Sequence, residues 1–216
     1  MAFDSGLKAA AQGWLQYLLT PPTLSDGNVA PLQGDASGNL KVSVQNSSAN
    51  PVAVAGAAYP SVLSLTRTAD TNAYTAGDVL GTGTGSAGAS LAFPGIGPAA
   101  GGEVIITSAA LEIDLASIPS GMTSFRLYLY SVTPPSALGD NAAWDIPSGD
   151  RASFLGYVDL GSPVDLGSTL YVQTAQINQQ VTVPVGGELF GYLMTNGGYT
   201  PASGTVYKVT LHAAGF

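Results

Sequence analysis

Few residues in this chain are of a type that does chemistry, and none stands beside the partners that such chemistry needs. The single histidine, His212, sits near the C-terminal end in an alternating stretch, TVYKVTLHA. A serine nucleophile needs a base next to it, and no nucleophile-elbow pattern accompanies this histidine, so His212 reads as a structural or exposed side chain. Asp140, Asp145 and Asp150 share one loop with Asn141. Calcium takes clustered oxygens, but a spacing of five does not match the EF-hand loop, and Asp and Asn are also turn formers; the 140–150 loop stays open to both readings. Glu103, Glu112 and Glu188 could supply a glycosidase carboxylate pair. Nothing selects among them, and two of the three lie in strand patterns. The stretch TGTGSAG, residues 82–88, has the glycines of a phosphate loop but lacks the Gly-Lys-Ser/Thr ending and a following helix; it reads as a flexible loop. The expectation is a non-enzymatic protein with no catalytic, cofactor or metal residues.

The chain is organised around Ser124 to Leu160, read as a strand, a long ordered loop and a second strand. Phe125, Leu127 and Leu129 alternate with Arg126, Tyr128 and Tyr130. Side chains alternate between the faces of a strand, so one face is apolar and the other carries amphipathic groups with polar tips. That is the pattern of a sheet buried on one side and half covered on the other. Pro134-Pro135 stops the strand, since proline brings no N–H to a ladder. The following loop carries Trp144 and Ile146, which are expected to pin it to the body. Phe154, Leu155, Tyr157, Val158 and Leu160 then resume a strand.

Ahead of this stretch, residues 4–19 read as a helix. Asp4 or Ser5 can cap it, Leu7, Ala11, Trp14 and Leu18 form one apolar stripe, and Pro21-Pro22 ends it. An isolated helix this short is marginal in water, so it needs a docking surface, either its own body or a neighbouring chain. Residues 20–60 are rich in Pro, Gly, Asp, Ser and Asn with a single strand pattern at Leu40, Val42 and Val44. So long a stretch with so little structure is unusual within a compact domain and ordinary for an arm that orders on a partner. From Ser61 onward, eight or nine strands follow one another at turn-marked intervals. The Ala109-Ala110 pair is a candidate bulge. The division is an N-terminal helix and extended arm, 1–60, and an all-β, jelly-roll-like sandwich body, 61–216.

Composition narrows the function classes. Charged residues make up 9% of the 216, against about 25% in ordinary domains, which leaves a surface suited to being covered by partners. The net charge is −8, and the six Lys and Arg are scattered singly; without a basic patch to neutralise phosphates, nucleic-acid binding is excluded. There is no cysteine, hence no disulfide and no thiolate metal site. No apolar run reaches the roughly 18 residues of a membrane span. The N-terminus lacks a signal-peptide pattern: Asp4 stands where a positive region belongs, and Lys8, Gln12, Gly13 and Gln16 break the apolar core. Synthesis and assembly in a cytosol are expected.

Several segments together resemble small structural proteins of tailed bacteriophages: LTRTADTNAYTAGDVLG (Leu65–Gly81), FRLYLY (Phe125–Tyr130), GDNAAWDIPSGDRASFLGYVDLG (Gly139–Gly161) and ELFGYLMTNGGYTPASGTVYKVTL (Glu188–Leu211), with PLQGDASGNLKVSV (Pro31–Val44) similar to the arm of such proteins. The resemblance implies a capsid decoration or cement protein with a jelly-roll body, often a homotrimer. Such a protein binds the major capsid protein across capsomer junctions on the virion surface and is assembled in the host bacterial cytoplasm. No cofactor and no catalytic residue belong to that role. Residues 1–58 are then expected to provide the grip, with Leu7, Trp14 and Leu18 as docking anchors. The alternatives are a tail, neck or fibre-adaptor component, or a glycan- or host-receptor-binding sandwich displaying Tyr128, Tyr130, Tyr157, Tyr192 and Tyr199.

Overall fold

A computed structural model describes residues 56–82 and 90–215, which fall within one unit, Gly56–Phe216. The helix expected over 4–19, the arm up to residue 55, and the docking residues Leu7, Trp14 and Leu18 lie outside the described residues, as does most of the Gly/Ser/Thr loop; the last residues assigned to the arm, 57–60, belong to the first strand.

Among the described residues every regular element is a strand: β1 (Ala57–Thr66), β2 (Val79–Leu80), β3 (Leu91–Phe93), β4 (Gly102–Ile113), β5 (Phe125–Tyr130), β6 (Phe154–Gly161), β7 (Val164–Asp165), β8 (Leu170–Val183), β9 (Leu189–Thr195) and β10 (Val206–Gly215). They form two antiparallel sheets. One runs β1-β10-β4-β8-β7; the other runs β2-β9-β5-β6, with β3 also paired to β9. A single apolar core draws on both sheets, from Leu65, Ile106, Leu111, Leu170 and Leu211 on one side to Phe93, Phe125, Leu127, Val158 and Leu193 on the other. The alternation read in β5 holds, since Phe125, Leu127 and Leu129 are fully buried in this core.

Three expectations are corrected. The stretches LYVQTA and INQQVTVPV, which count as two of the eight or nine strands read from the sequence, are one strand, β8, and β7 is an additional short strand. The join in β8 is a wide irregularity: Ala175 faces Ser108 and Gln179 faces Ile106, so three residues of β8 stand against Thr107 alone. Gln176 and Asn178 take left-handed backbone (φ 61° and 54°) to make it, a conformation that non-glycine residues rarely adopt. The bulge of β4 lies at Thr107, where the register shifts, and the Ala109-Ala110 pair is in register. The inward series explains this. Val104 and Ile106 are followed by Ala109, Leu111 and Ile113, all buried, so the two-residue period gains one extra residue at Thr107–Ser108.

The outer face of β5 is more than half covered. Tyr128 and Tyr130 are buried, because the long β5–β6 loop folds back over them. That loop is tied by an isolated bridge, Asp78 to Ala143. Val79 N–H donates to the Ala142 carbonyl (2.8 Å), Asn141 N–H to the Val79 carbonyl (3.0 Å) and Trp144 N–H to the Gly77 carbonyl (2.8 Å). The backbone polar groups of a loop this long find partners by extending β2.

Candidate functional site

The candidate chemical residues are dispersed. His212 is exposed on β10, opposite Pro60 of β1 and Ser108 of β4. Glu103 accepts from Thr182 and Gln180 across the β4–β8 pair, and Glu112 pairs with Lys208 at 2.9 Å. The three loop aspartates point to different tasks. Asp150 is buried and accepts from the Ser136 amide and hydroxyl. Asp140 is buried among other partners, and Asp145 is exposed. Among the described residues no three His, Asp or Glu side chains gather closely enough to hold a metal ion.

The densest polar constellation was not singled out in the sequence. It centres on Arg67, whose guanidinium is fully buried just beyond β1. Its Nε donates to the Tyr74 hydroxyl at 2.7 Å, its Nη1 to the Asp70 carbonyl at 2.6 Å, and its Nη2 to Asp70 Oδ1 at 2.7 Å and the Asn72 carbonyl at 3.1 Å. The chain from Thr68 to Tyr74 is thus wrapped around one planar fork, a geometry that arginine offers and lysine does not. Tyr74 passes the contact on by donating to Asp140 Oδ1, which also accepts the Gly81 amide at 2.9 Å. Asp140 Oδ2 lies 3.5 Å from Arg67 Nη2. Beside them the Tyr199 and Tyr207 hydroxyls share a hydrogen bond of 2.9 Å, and the Tyr74 and Tyr199 rings lie 5.3 Å apart.

The electrostatics are those of a sealed clamp. Burial works against the Arg67 charge, but the bonds with Tyr74 and Asp70 outweigh it and hold the guanidinium ionised. The Asn72 amide, with help from Arg67, keeps the Asp70 carboxyl below its ordinary range. Burial first, and then Asp140, raises the Tyr74 phenol. Burial likewise raises Tyr199 and pushes Tyr207 up to about 12. Every donor of Arg67 is committed internally, and the arrangement binds two loops and two strands together. The signal available in the sequence was the lone arginine following VLSLT and preceding the turn-rich TADTN.

A second layer lies on the outer face of the β2-β9-β5-β6 sheet. Val79, Tyr128, Tyr130, Tyr192 and Met194 form a small core that Leu138, Trp144, Phe154 and Phe190 complete. The Trp144 indole stacks on Tyr128, so the expectation that Trp144 pins the loop is met; Ile146 is half-buried. Of the five tyrosines considered for a glycan platform, Tyr128, Tyr130, Tyr192 and Tyr199 are buried, and only Tyr157 is exposed, at 49%. Arg126 covers its ring at 4.3 Å and is itself tied to Asp159 at 2.6 Å.

No family model and no curated protein matches this chain. Solved structures that it is similar to include the capsid of Ralstonia phage GP4 (14% identity, 76% of this chain and 87% of that one, TM-score 0.35). Others are Desmodium yellow mottle tymovirus (12% identity, 89% and 96%, TM-score 0.23) and a full particle of Israeli acute paralysis virus (11% identity, 91% and 94%, TM-score 0.27). All three are viruses or parts of them. Identities and scores this low carry no argument about this chain's fold, residues or sites.

Proposed function

We propose that this chain is a non-enzymatic structural protein of a tailed-phage virion, a decoration or cement protein with a jelly-roll-like body. In this reading it binds the major capsid protein across capsomer junctions and braces the head. The observation that carries it is where the four body segments of the phage resemblance go. Arg67, Asp70 and Tyr74 come from the first, Tyr128 from the second, Asp140 and Trp144 from the third, and Tyr192, Tyr199 and Tyr207 from the fourth. Their polar and aromatic groups are spent on holding loops to sheets, which is what a rigid lattice-bound building block requires and what a substrate site would not leave room for. Many identical weak contacts on a shell then add through multivalency. Three copies about one axis, a grip supplied by residues 1–58, and anchors at Leu7, Trp14 and Leu18 belong to this proposal.

The test is copy number per particle, by quantitative mass spectrometry of purified virions against the major capsid protein. Hundreds of copies support a shell component. A dozen or so move the protein to the neck, tail or fibre and overturn the decoration reading. Absence from clean particles overturns the virion reading altogether.

A further inference from the structure

Among the described residues the sheet β1-β10-β4-β8-β7 ends in β1, a ten-residue strand paired with β10 alone. Its hydrogen-bonding parity can be worked out. Arg67 N–H donates to the Thr205 carbonyl at 2.9 Å, one step beyond the Thr66–Val206 pair. In an antiparallel ladder the residues that exchange both bonds alternate along the strand. Ser61, Leu63, Leu65 and Arg67 therefore turn their N–H and C=O groups to β10, while Pro60, Val62, Ser64 and Thr66 turn theirs to the open edge. Pro60 fits this assignment, because a proline is tolerated in a sheet where its missing N–H faces away from the ladder.

Natural edges are blunted with charge, most often lysine. This one has no charged residue anywhere from Gly56 to Thr66, and Val62, on its outer face, is 53% exposed. Among the described residues no backbone group bonds to the open side. We infer that β1 pairs with β1 of a second copy of this chain, antiparallel, about a two-fold axis at Ser64. The register follows from three constraints. Paired residues must lie on the same face, which requires the two residue numbers to sum to an even value. Edge-facing residues must meet edge-facing residues. Pro60 must stay outside the ladder. A pairing that sets Ser64 against Ser64 and Val62 against Thr66 meets all three and forms about six backbone hydrogen bonds. A shift of one pair toward the N-terminus would bring Pro60 opposite Thr66 and leave each Thr66 carbonyl without a donor. In the chosen register Leu63 meets Leu65 on the inner face, and the exposed Val62 is flanked by Thr66. Lys208, beside Ser64 on β10, lies three strand spacings from its symmetry mate, about 14 Å. That exceeds the Debye length of about 8–10 Å in ordinary buffer, and each Lys208 is already paired with Glu112. A two-fold contact of this kind leaves any three-fold contact elsewhere on the body free, so it joins copies or trimers in even numbers.

The experiment uses the full chain, by sedimentation velocity over a range of concentrations, with two variants. Ser64→Pro removes only an edge-facing N–H, as Pro60 already does, and so spares the β10 ladder; it is expected to keep its melting temperature within a few degrees and to weaken pairing at least tenfold. Ser64→Cys introduces the only thiol in the chain and is expected to be linked rapidly by a short bifunctional thiol reagent, at least tenfold faster than Thr210→Cys on the neighbouring strand. Even-numbered assemblies that fall apart with Ser64→Pro support the inference. A chain that stays monomeric at all concentrations overturns it. So does an even-numbered assembly that survives Ser64→Pro unchanged, equal linking at the two thiol positions, or a thiol at position 64 shielded in a monomer, which would place a different occupant on the edge.

Discussion

The Trp144 indole lies nearly parallel to the Tyr128 ring, with centroids 3.7 Å apart and planes at 10°. One residue comes from the middle of a long loop and the other from the centre of β5, so this stack fastens the loop to the sheet. Truncating Trp144 removes the stack and uncovers the small core beneath it. For a half-buried tryptophan the expected cost of Trp144→Ala is about 2–3 kcal/mol, read from urea unfolding. Limited proteolysis should cut first within residues 131–153. Trp144→Phe should recover part of the loss, since a flat ring can still stack.

The Arg67 clamp makes a sharper claim. Replacing Arg67 with Met leaves Asp140 and the Tyr74 hydroxyl buried without their cation, and breaking such a pair costs about 3–5 kcal/mol. Arg67→Lys is expected to fare nearly as badly. A single ammonium cannot reach Tyr74, Asp70 and Asn72 at once, whereas the guanidinium does. If the lysine variant melted like the parent, the fork geometry would be irrelevant and the clamp would reduce to a point charge.

Gly191 marks the tightest backbone approach in the middle of a sheet. It lies in β9 between β3 and β5, and a Cβ there would stand 2.5 Å from the Tyr128 carbonyl oxygen. Backbone cannot yield as a flexible side chain would, so Gly191→Ala is expected to cost more than about 3 kcal/mol. The expected readout is insoluble expression or a melting temperature lowered by ten degrees or more, while Gly149→Ala, with open space around it, should be neutral.

How legible this was depended on whether the signal was local. The β5 alternation, the turn residues and the pinning role of Trp144 follow from neighbours in sequence, and they were readable. The bulge at Thr107 was also written locally, as a phase change between Ile106 and Ala109, but a pair of small residues drew attention one step too far along. The continuity of β8 was hidden because Gln176 and Asn178 resemble turn residues, and only pairing with β4 keeps them in a strand. The clamp was the least readable. Arg67 and Asp140 are 73 positions apart, and nothing in either segment announces that a fold will bury both.

The proposed division of labour predicts that residues 56–216 fold without the preceding segment. The core of the described unit is closed by its own strands, so a chain lacking residues 1–55 should give a cooperative melt. Under the proposed function it should no longer bind capsids in a co-sedimentation assay, and the triple variant Leu7→Ala, Trp14→Ala, Leu18→Ala should lose most of the binding. Undiminished binding by the truncated chain would remove the grip from the N-terminal segment and place it on the body.

Alkaline pH should unfold the body through its buried phenols. Tyr74, Tyr199 and Tyr207 are all raised above the ordinary tyrosine value of 10.0, burial being the largest cause in each case. In the unfolded chain these groups lose their protons near pH 10; in the folded chain they hold them longer. Between the two values the unfolded state binds fewer protons, so stability falls as pH rises. The contribution is complete below pH 10 and is lost above it, at about 1.4 kcal/mol per pH unit for each tyrosine that ionises only on unfolding. The melting temperature is therefore expected to be flat from pH 7 to 9 and to drop steeply above 10. Phenolate absorbance from the buried set should rise together with loss of β-sheet circular dichroism. Tyr199→Phe removes one of these ionisations, so it should flatten the alkaline slope while costing some stability at neutral pH through the lost bond to Tyr207. A slope unchanged by that substitution would mean that the buried pair does not drive the alkaline transition.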